Sequence, residues 1–318
     1  MNRRAILKDL ACEATTHAGL WLDRYLRDHE TGSKQDHFDQ TVDKIEVPSQ
    51  YRRFFERWKA MLRGHPCTLL GQASTQGRLI VGLGSEAVLE ASVTLHHTYG
   101  VPYLPGTALK GLAASFADRQ LEDPRWRKQP LGESHRTLFG DPDGSGCVTF
   151  HDALWIPQGK SLPLDPDVLT VHHPDYYGGT GDLPPADWDS PKPVPFVSSR
   201  GDFLLALTGP PAWAKVAWDL LSLALNEEGL GGKTAAGYGR CKVKQEAVIR
   251  GPHWKERIKG LNLSFASKLV VEVLESLAGD PAERQLAARS MLELLGGKKS
   301  LKSHKEKDWV KSLFTASE

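Results

Sequence analysis

The stretch Gly229-Leu-Gly-Gly-Lys-Thr-Ala-Ala-Gly-Tyr-Gly-Arg240 decides how this chain is interpreted, because five of its twelve residues are glycine. Glycine adopts positive φ easily and lets another backbone approach closely. A loop of this kind can point its N–H groups at phosphates as a nest, and Lys233 and Arg240 add positive charge beside it. The stretch therefore predicts a loop that grips a phosphodiester backbone. The alternative is a helix C-cap followed by an ordinary turn, for which one or two glycines suffice.

The elements predicted on either side of this loop exclude a nucleotide-hydrolysis site. Residues 213–225 have apolar side chains at helical spacing, and residues 239–249 have the pattern of a strand. A Walker A loop instead joins a strand to a helix, and it carries a glycine where this chain has Glu227. The predicted order of helix, loop and strand is the reverse of that in an NTPase.

Composition limits the classes of protein that fit. The 318 residues have room for one large or two small domains, and 40% hydrophobic residues with nine tryptophans support a core. A net charge of +1 is low for a protein that binds nucleic acid by charge alone, so we expect RNA contact to be local or shared with partner subunits. Four scattered cysteines form no Cys-x-x-Cys pair, which argues against a zinc knuckle and for reduced thiols. With no signal peptide and no apolar run of membrane length, we expect a cytoplasmic protein without membrane contact. We also expect no metal and no cofactor.

The periodicity along the chain predicts an α+β fold. Helices are predicted at 4–28, 50–62, 107–120, 213–225, 265–277, 282–295 and 305–314, and loops at 30–47 and 174–195. Strands are predicted at 78–83, 88–97, 147–151, 203–208 and 239–249. This order fits a ferredoxin-like (RRM-like) βαββαβ core with helical extensions at both ends. The predicted segments are 1–70 (helical), 71–250 (core, with a long insertion at about 121–200) and 251–318 (helical).

A second candidate binding stretch is Tyr99-Gly-Val-Pro-Tyr-Leu-Pro-Gly-Thr-Ala-Leu-Lys-Gly111. Its prolines require an extended backbone, and Thr107 is predicted to cap a helix that carries Lys110 in its first turn. A lysine there is unfavourable to the helix dipole, and phosphate binding at the helix N-terminus would explain its presence. A solvated surface lysine explains Lys110 equally well.

These motifs together resemble the RAMP superfamily of CRISPR effector proteins, and within it the family of the sixth subunit of type III-B (Cmr) complexes. Besides the two stretches above, the resemblance rests on Arg78-Leu-Ile-Val-Gly-Leu-Gly84, Leu138-Phe-Gly140, and His172-His-Pro-Asp-Tyr-Tyr-Gly178 with Pro184-Pro-Ala-Asp-Trp188. The matching features run from Arg78 to Arg240, about half of the chain.

The resemblance implies a non-catalytic, RNA-binding structural subunit near the 3′ end of the guide RNA, in a complex that recognises target RNA in antiviral defence. The implied partners are guide (crRNA) and target RNA, other RAMP subunits and the small helical subunit of the complex, with the long insertion docking neighbours. The implied RNA-binding residues are Tyr103, Thr107, Lys110, Gly231, Gly232, Lys233, Thr234, Gly237, Tyr238 and Arg240. A serine is common in the family where this chain has Thr107, but the hydroxyl is kept.

The alternative function is a metal-independent endoribonuclease that processes guide RNA precursors, because some RAMP relatives cleave RNA with a histidine. His97 or His173 would be the base, and Lys110 would stabilise the developing charge beside His97. The competing explanation is that these histidines make structural hydrogen bonds. An enzyme of this type should cleave repeat RNA alone in EDTA.

The segment Asp141-Pro-Asp-Gly-Ser-Gly-Cys-Val-Thr-Phe-His-Asp152 places oxygen side chains at EF-hand ligand positions. An EF-hand also needs a helix on each side, whereas residues 147–151 have strand character. An Asp-Gly turn that leads into a strand explains the same residues.

Overall fold

The computed structural model describes residues 10–27, 30–65, 67–85, 89, 91–159, 162–171, 184, 186, 191–246, 258, 261–263, 266–277, 281–304 and 307–317. The helices are α1 (Ala18–Arg24), α2 (Thr31–Lys44), α3 (Ser49–Gly64), α4 (Gly106–Gln120), α5 (Glu133–Phe139), α6 (Pro211–Glu227), α7 (Ala266–Ser276), α8 (Pro281–Leu294), α9 (Gly297–Ser300) and α10 (Asp308–Ser317). The strands are β1 (Thr68–Thr75), β2 (Tyr103–Leu104), β3 (Gly140–Asp141), β4 (Gly144–Ser145), β5 (Thr149–Phe150), β6 (Ala153–Trp155), β7 (Leu164–Val171), β8 (Lys192–Ser199), β9 (Asp202–Thr208) and β10 (Cys241–Gln245). Short 3-10 turns cover Pro124–Trp126, Thr234–Ala236 and Lys302–His304.

The predicted ferredoxin-like core is confirmed. An antiparallel sheet has the strand order β10-β1-β9-β6-β2, and β5 also pairs with β9. Along the chain, β1, α4, β5 with β6, β9, α6 and β10 give the βαββαβ order. Strand β9 is central because its apolar run from Phe203 to Leu207 is buried on both faces.

Helix α6 packs closely on one face of this sheet. A Cβ added to Gly71 of β1 would lie 2.6 Å from the Trp218 ring of α6, so glycine is required for the close approach. Helix α3 packs against the same core with Tyr51, Phe55 and Leu62. The Tyr51 hydroxyl donates to the Trp155 carbonyl at 2.6 Å. The helices predicted at 50–62, 107–120 and 213–225 are thus confirmed with small changes at their ends.

The N-terminal helices differ from the prediction. The loop predicted at 30–47 is wrong, because α2 occupies most of it and buries Phe38 and Val42 on one face. The polar residues between Phe38 and Val42 obscure this apolar face in the sequence. The helix predicted over 4–28 is confirmed only at Ala18–Arg24. Residues 10–17 are not helical, and α1 begins at Ala18, where the Leu20 N–H donates to the His17 ring at 3.1 Å. Residues 1–9 lie outside the described residues.

The predicted first two strands are wrong for a reason that concerns the glycine-rich loop. Residues 78–83 and the described part of 88–97 form only isolated bridges, Leu79 with Ser199 and Leu95 with Pro102. The first strand is β1, whose sequence Thr-Leu-Leu-Gly-Gln-Ala-Ser-Thr has weak strand propensity. The carbonyls of Arg78 and Ile80 instead accept hydrogen bonds from Gly239 and Gly232.

The insertion contains a β-hairpin where the sequence predicted part of a long loop. Strands β7 and β8 pair from Leu164↔Ser199 to Val171↔Lys192. The prolines of Lys192-Pro-Val-Pro195 argue against a strand in the sequence. They are tolerated in β8 because each strand of a two-stranded sheet has a free edge, where no N–H donor is needed. Most of the predicted loop lies outside the described residues, and so do His172 and His173.

The C-terminal helices α7, α8 and α10 match the predicted helical segment. They share a hydrophobic core of their own, in which Val270, Val273, Met291, Val310 and Leu313 are fully buried. Among the described helices, none combines the length and the apolar character that crossing a membrane requires. The predicted segment boundaries at 70/71 and 250/251 stay predictions.

Candidate nucleic-acid interface

The glycine-rich loop joins the end of α6 to the start of β10, so the predicted order of helix, loop and strand is confirmed. Its first glycine has the role of a helix C-cap: Gly229 has φ +83° and its N–H donates to the Ala224 carbonyl at 3.0 Å. The loop then continues well beyond a cap. Positive φ recurs at Gly231, Gly237 and Gly239, and also at Lys233, where φ is +57°.

The path of the loop is fixed against residues 78–80. The N–H groups of Gly232 and Gly239 donate to the carbonyls of Ile80 and Arg78, each at 2.8 Å. A Cβ on Gly231 would lie 2.1 Å from the Ile80 carbonyl oxygen, so glycine is needed for this contact. The loop is therefore held in one conformation against residues 78–80.

Hydrogen bonds within the loop reduce the number of backbone N–H groups that could bind phosphate in the predicted nest. The N–H groups of Ala236, Gly237 and Tyr238 donate to carbonyls of Lys233 and Thr234 within the loop. Positive charge at the loop comes from two side chains: Arg240 is exposed, and Lys233 is half-buried with its backbone in the left-handed region. A non-glycine residue in this region is uncommon and costs on the order of 1 kcal/mol or more.

Tyr238 is held by the insertion hairpin. Its hydroxyl donates to Asp167 Oδ2 of β7 at 2.7 Å, and Asp167 also pairs with Arg78 at 3.5 Å. Burial and the hydrogen bond to Asp167 raise the pKa of Tyr238 to about 12. No local sequence pattern predicts this contact, because Asp167 and Tyr238 are 71 positions apart. The pairing of Arg78 with Asp167 likewise arises only from the fold.

The second candidate stretch forms β2 and the start of α4, but its predicted cap is wrong. Pro105 occupies the N-cap position, Gly106 is the first helical residue, and Thr107 makes no capping hydrogen bond. The Gly106 N–H instead donates to Asp152 Oδ1 at 2.7 Å. A carboxylate of the protein itself therefore occupies the expected phosphate position, and Lys110 lies beyond the first turn.

The candidate RNA-binding residues fall into two groups. Gly231, Gly232, Lys233, Thr234, Gly237, Tyr238 and Arg240 lie together in the loop beside β10. Tyr103, by contrast, lies on β2, at the other edge of the five-strand order. Four strand spacings of about 4.8 Å separate the two edges by about 19 Å. Thr107 and Lys110 follow β2 in α4, so the sheet does not place these three residues beside the loop.

Of the two histidines proposed as catalytic bases, His97 is among the described residues and His173 is not. Two further histidines, His96 and His151, pack against neighbouring side chains. His97 is exposed, and its carbonyl oxygen lies 3.0 Å from His17 Nε2. His96 packs against Tyr99 with ring centroids 4.9 Å apart, and burial lowers the pKa of His96. His151 Nε2 lies 2.9 Å from the Thr208 hydroxyl, and burial also lowers the pKa of His151.

The segment 141–152 forms a turn that leads into strands, as one of the two interpretations predicts. Strands β3 and β4 pair as a hairpin, the Asp143 N–H donates to Asp141 Oδ1 at 2.9 Å, and Asp141 pairs with Arg136 at 2.5 Å. Within the described ranges, no three His, Cys, Asp or Glu side chains converge as metal ligands would.

Comparison with known proteins agrees with the fold. The family model of the RAMP superfamily matches residues 72–242, which is more than half of the chain and includes all ten candidate RNA-binding residues. The chain therefore belongs to the RAMP superfamily.

Within that superfamily the chain is similar to subunits of CRISPR Cmr systems. It is 30% identical over 257 residues to the CRISPR system Cmr subunit Cmr6 of Pyrococcus furiosus, a match that covers 62% of this chain and 75% of that protein. In fold it is similar to a chain in the cryo-EM structure of the Type III-B Cmr-beta bound to cognate target RNA, with a TM-score of 0.52, 19% identity, and coverage of 69% of this chain and 76% of that chain. The crystal structure of Cmr6 from Pyrococcus furiosus superposes with a TM-score of 0.36 at 29% identity, over 56% of this chain and 98% of that chain.

Proposed function

We propose that this chain is a non-catalytic RNA-binding subunit of a type III-B CRISPR (Cmr) ribonucleoprotein in the cytoplasm. In this role it lies near the 3′ end of the guide RNA, contacts other RAMP subunits and the small helical subunit, and supports recognition of target RNA in antiviral defence. The observation that carries the proposal is the 30% identity to Cmr6 over three-quarters of that protein.

The geometry of the glycine-rich loop supports this role. The loop is tied to residues 78–80 by backbone hydrogen bonds, so Lys233 and Arg240 are carried on a support that needs little ordering when RNA binds. Phosphate contacts of this kind position RNA without reading its sequence. Sequence specificity in an RNA-guided complex comes from base pairing with the guide. A net charge of +1 is compatible with such a local contact.

Cleavage of guide precursors has no comparable support in the described residues. Such cleavage needs a base beside the 2′-hydroxyl and a cation near the developing charge. Of the two candidate bases, His97 is exposed and is carried on a turn, and His173 lies outside the described residues.

Purification from cells tests the proposal. The chain would be expressed with its chromosomal neighbours, purified through a tag, and the bound RNA sequenced. We expect short RNAs that share a repeat-derived 5′ end, together with co-purifying RAMP subunits. A solitary protein without RNA would contradict the proposal.

Incubation of the isolated chain with repeat RNA in EDTA tests the absence of catalysis. We expect intact RNA. Cleavage that disappears in His97→Ala or His173→Ala would establish the endoribonuclease instead.

A further inference from the structure

Strand β10 carries a row of cations on its outward face. Lys242 and Lys244 are exposed, whereas Cys241 and Val243, which alternate with them, face the hydrophobic core. Arg240 stands two residues before Lys242, is exposed, and accepts the Gln76 N–H through its carbonyl, so the ladder continues to the end of the glycine-rich loop. The row therefore begins where the loop ends.

The register of the sheet fixes the face on which the lysines lie. Lys242 is opposite Ser74 and Lys244 is opposite Gln72 on β1, and residues directly opposite each other point to the same face. Gly71 points to the other face, where Trp218 of α6 packs. The lysines thus lie on the sheet face away from α6.

Among the described residues, no carboxylate forms an ion pair with the cations of this row. In the described part of the chain, neither lysine has a carboxylate within 4.0 Å. Glu246, the next residue of the same alternation, pairs with Arg63 at 3.6 Å. The facing groups on β1 are neutral, and the Gln72 amide donates to the Ser74 hydroxyl at 3.1 Å. An exposed lysine elsewhere behaves differently: Lys215 on α6 contacts Asp219 at 2.5 Å.

We propose that β10 is a phosphate-binding track for single-stranded RNA, which extends the contact of the glycine-rich loop along the strand. The track rests on the proposed function and names contacts beyond it. Alternate residues of an antiparallel strand are about 6.8 Å apart, close to the step between successive phosphates of an extended strand of RNA. Arg240, Lys242 and Lys244 each meet one phosphate, and the polar groups of Ser74 and Gln72 lie beside the sugars.

A different explanation of the same lysines is protection of a sheet edge. Strand β10 is the last strand of the sheet order, and edge strands often carry lysine to prevent pairing with another chain. The two explanations predict different consequences when the charge is removed. Loss of a track weakens RNA binding in a salt-dependent way, whereas loss of protection increases self-association.

The experiment uses reconstituted complexes that contain the Lys242→Gln/Lys244→Gln chain, with guide RNA affinity measured over a range of salt concentrations. Each phosphate contact in a single strand contributes about 0.7 to the slope of log affinity against log salt. We therefore expect the slope to fall by about 1.4 and the affinity by about tenfold at moderate salt. Lys242→Arg/Lys244→Arg should keep both the slope and the affinity. The matched control Lys215→Gln, on the opposite face of the sheet, should also leave them unchanged.

Each outcome separates the track from the function on which it rests. If the wild-type complex holds no guide RNA, both proposals fall. If the wild type binds guide RNA and the glutamine variant has the same slope, the track is wrong and the proposed function stands. An unchanged slope with greater self-association assigns the lysines to edge protection.

Discussion

Two glycine-rich turns in this molecule follow a helix, and they have much in common. Gly140 closes α5 with φ +82°, and Gly229 follows α6 with φ +83°. In the first turn a Cβ on Gly146 would lie 2.1 Å from the Leu138 carbonyl oxygen, and in the second a Cβ on Gly239 would lie 2.0 Å from that of Leu230. Glycine serves the same purpose in both turns: it allows close backbone contact.

The charges distinguish the two turns. Asp141 accepts the Asp143 N–H and pairs with Arg136, so its charge is used within the protein. Lys233 and Arg240 have no carboxylate within ion-pair distance among the residues that the structure describes. Glycine content therefore predicts the conformation of the backbone in both turns. The cations Lys233 and Arg240, unpaired among the described residues, are what indicate an anionic ligand at the second turn.

The largest expected effect is on stability, and it should be shared by both turns. Gly239→Ala places a methyl group against the Leu230 carbonyl at positive φ, and Gly146→Ala places one against the Leu138 carbonyl. We expect each change to lower the free energy of unfolding by about 2 kcal/mol or more, measured by urea denaturation.

Gly237→Ala is the matched control for the shape requirement. Gly237 has φ +89° but no atom within 4 Å of an added Cβ. This variant should lose only about 1 kcal/mol, the cost of left-handed backbone alone. Equal losses for Gly237→Ala and Gly239→Ala would show that close contact does not constrain the loop.

A smaller effect is expected for the hydrogen bond that ties the loop to the insertion hairpin. Tyr238→Phe removes the donor to Asp167 and should cost about 1 kcal/mol at neutral pH. The folded pKa of Tyr238 is raised to about 12, so its contribution is complete below the unfolded pKa of about 10 and is lost as pH rises toward the folded value.

The difference in unfolding free energy between wild type and Tyr238→Phe should therefore shrink above about pH 10. Urea unfolding of both proteins from about pH 8 to about pH 11 measures it. A constant difference over this range would mean that the phenol titrates equally in both states.

The smallest effect is expected in the acidic turn. The Arg136 side chain is 66% exposed and the Asp141 side chain is 8% exposed, so water screens the ion pair from the Arg136 side. Asp141 keeps its hydrogen bond from the Asp143 N–H when Arg136 is replaced. Arg136→Gln should change the free energy of unfolding by less than about 1 kcal/mol, measured by the same urea denaturation. Guide RNA binding by the assembled complex should be unchanged, and weaker binding would mean that this turn also contacts RNA.

The sequence predicted the core better than its edges. The strongly periodic α6 and the apolar β9 were placed correctly, because local pattern and tertiary position agree there. Strand β1 is not predicted by local pattern, because the glycine at position 71 is required by close contact with Trp218, more than a hundred residues away. The stretch 78–83 has the apolar pattern of a strand, yet its backbone carbonyls accept hydrogen bonds from the glycine-rich loop, and only Leu79 and Ile80 are buried.

The sequence predicts the contiguous part of the candidate site and not the contacts that the fold brings together. The loop residues are contiguous in sequence, so composition alone brings them together. The capping carboxylate of Asp152 and the contact of Asp167 with Tyr238 arise only from the fold. The cations of β10 are separated by buried residues, and they form a row only once the register with β1 is known.

Guide RNA affinity of the assembled complex tests the central claim most directly, with a pair of double variants from the two turns. Lys233→Ala/Arg240→Ala removes the uncompensated cations, and Asp141→Asn/Asp143→Asn alters charge in the other turn. We expect the first to weaken guide binding by about tenfold or more and the second to leave it unchanged, with both proteins folded by thermal denaturation. Unchanged guide binding by Lys233→Ala/Arg240→Ala would contradict the assignment of the glycine-rich loop to RNA.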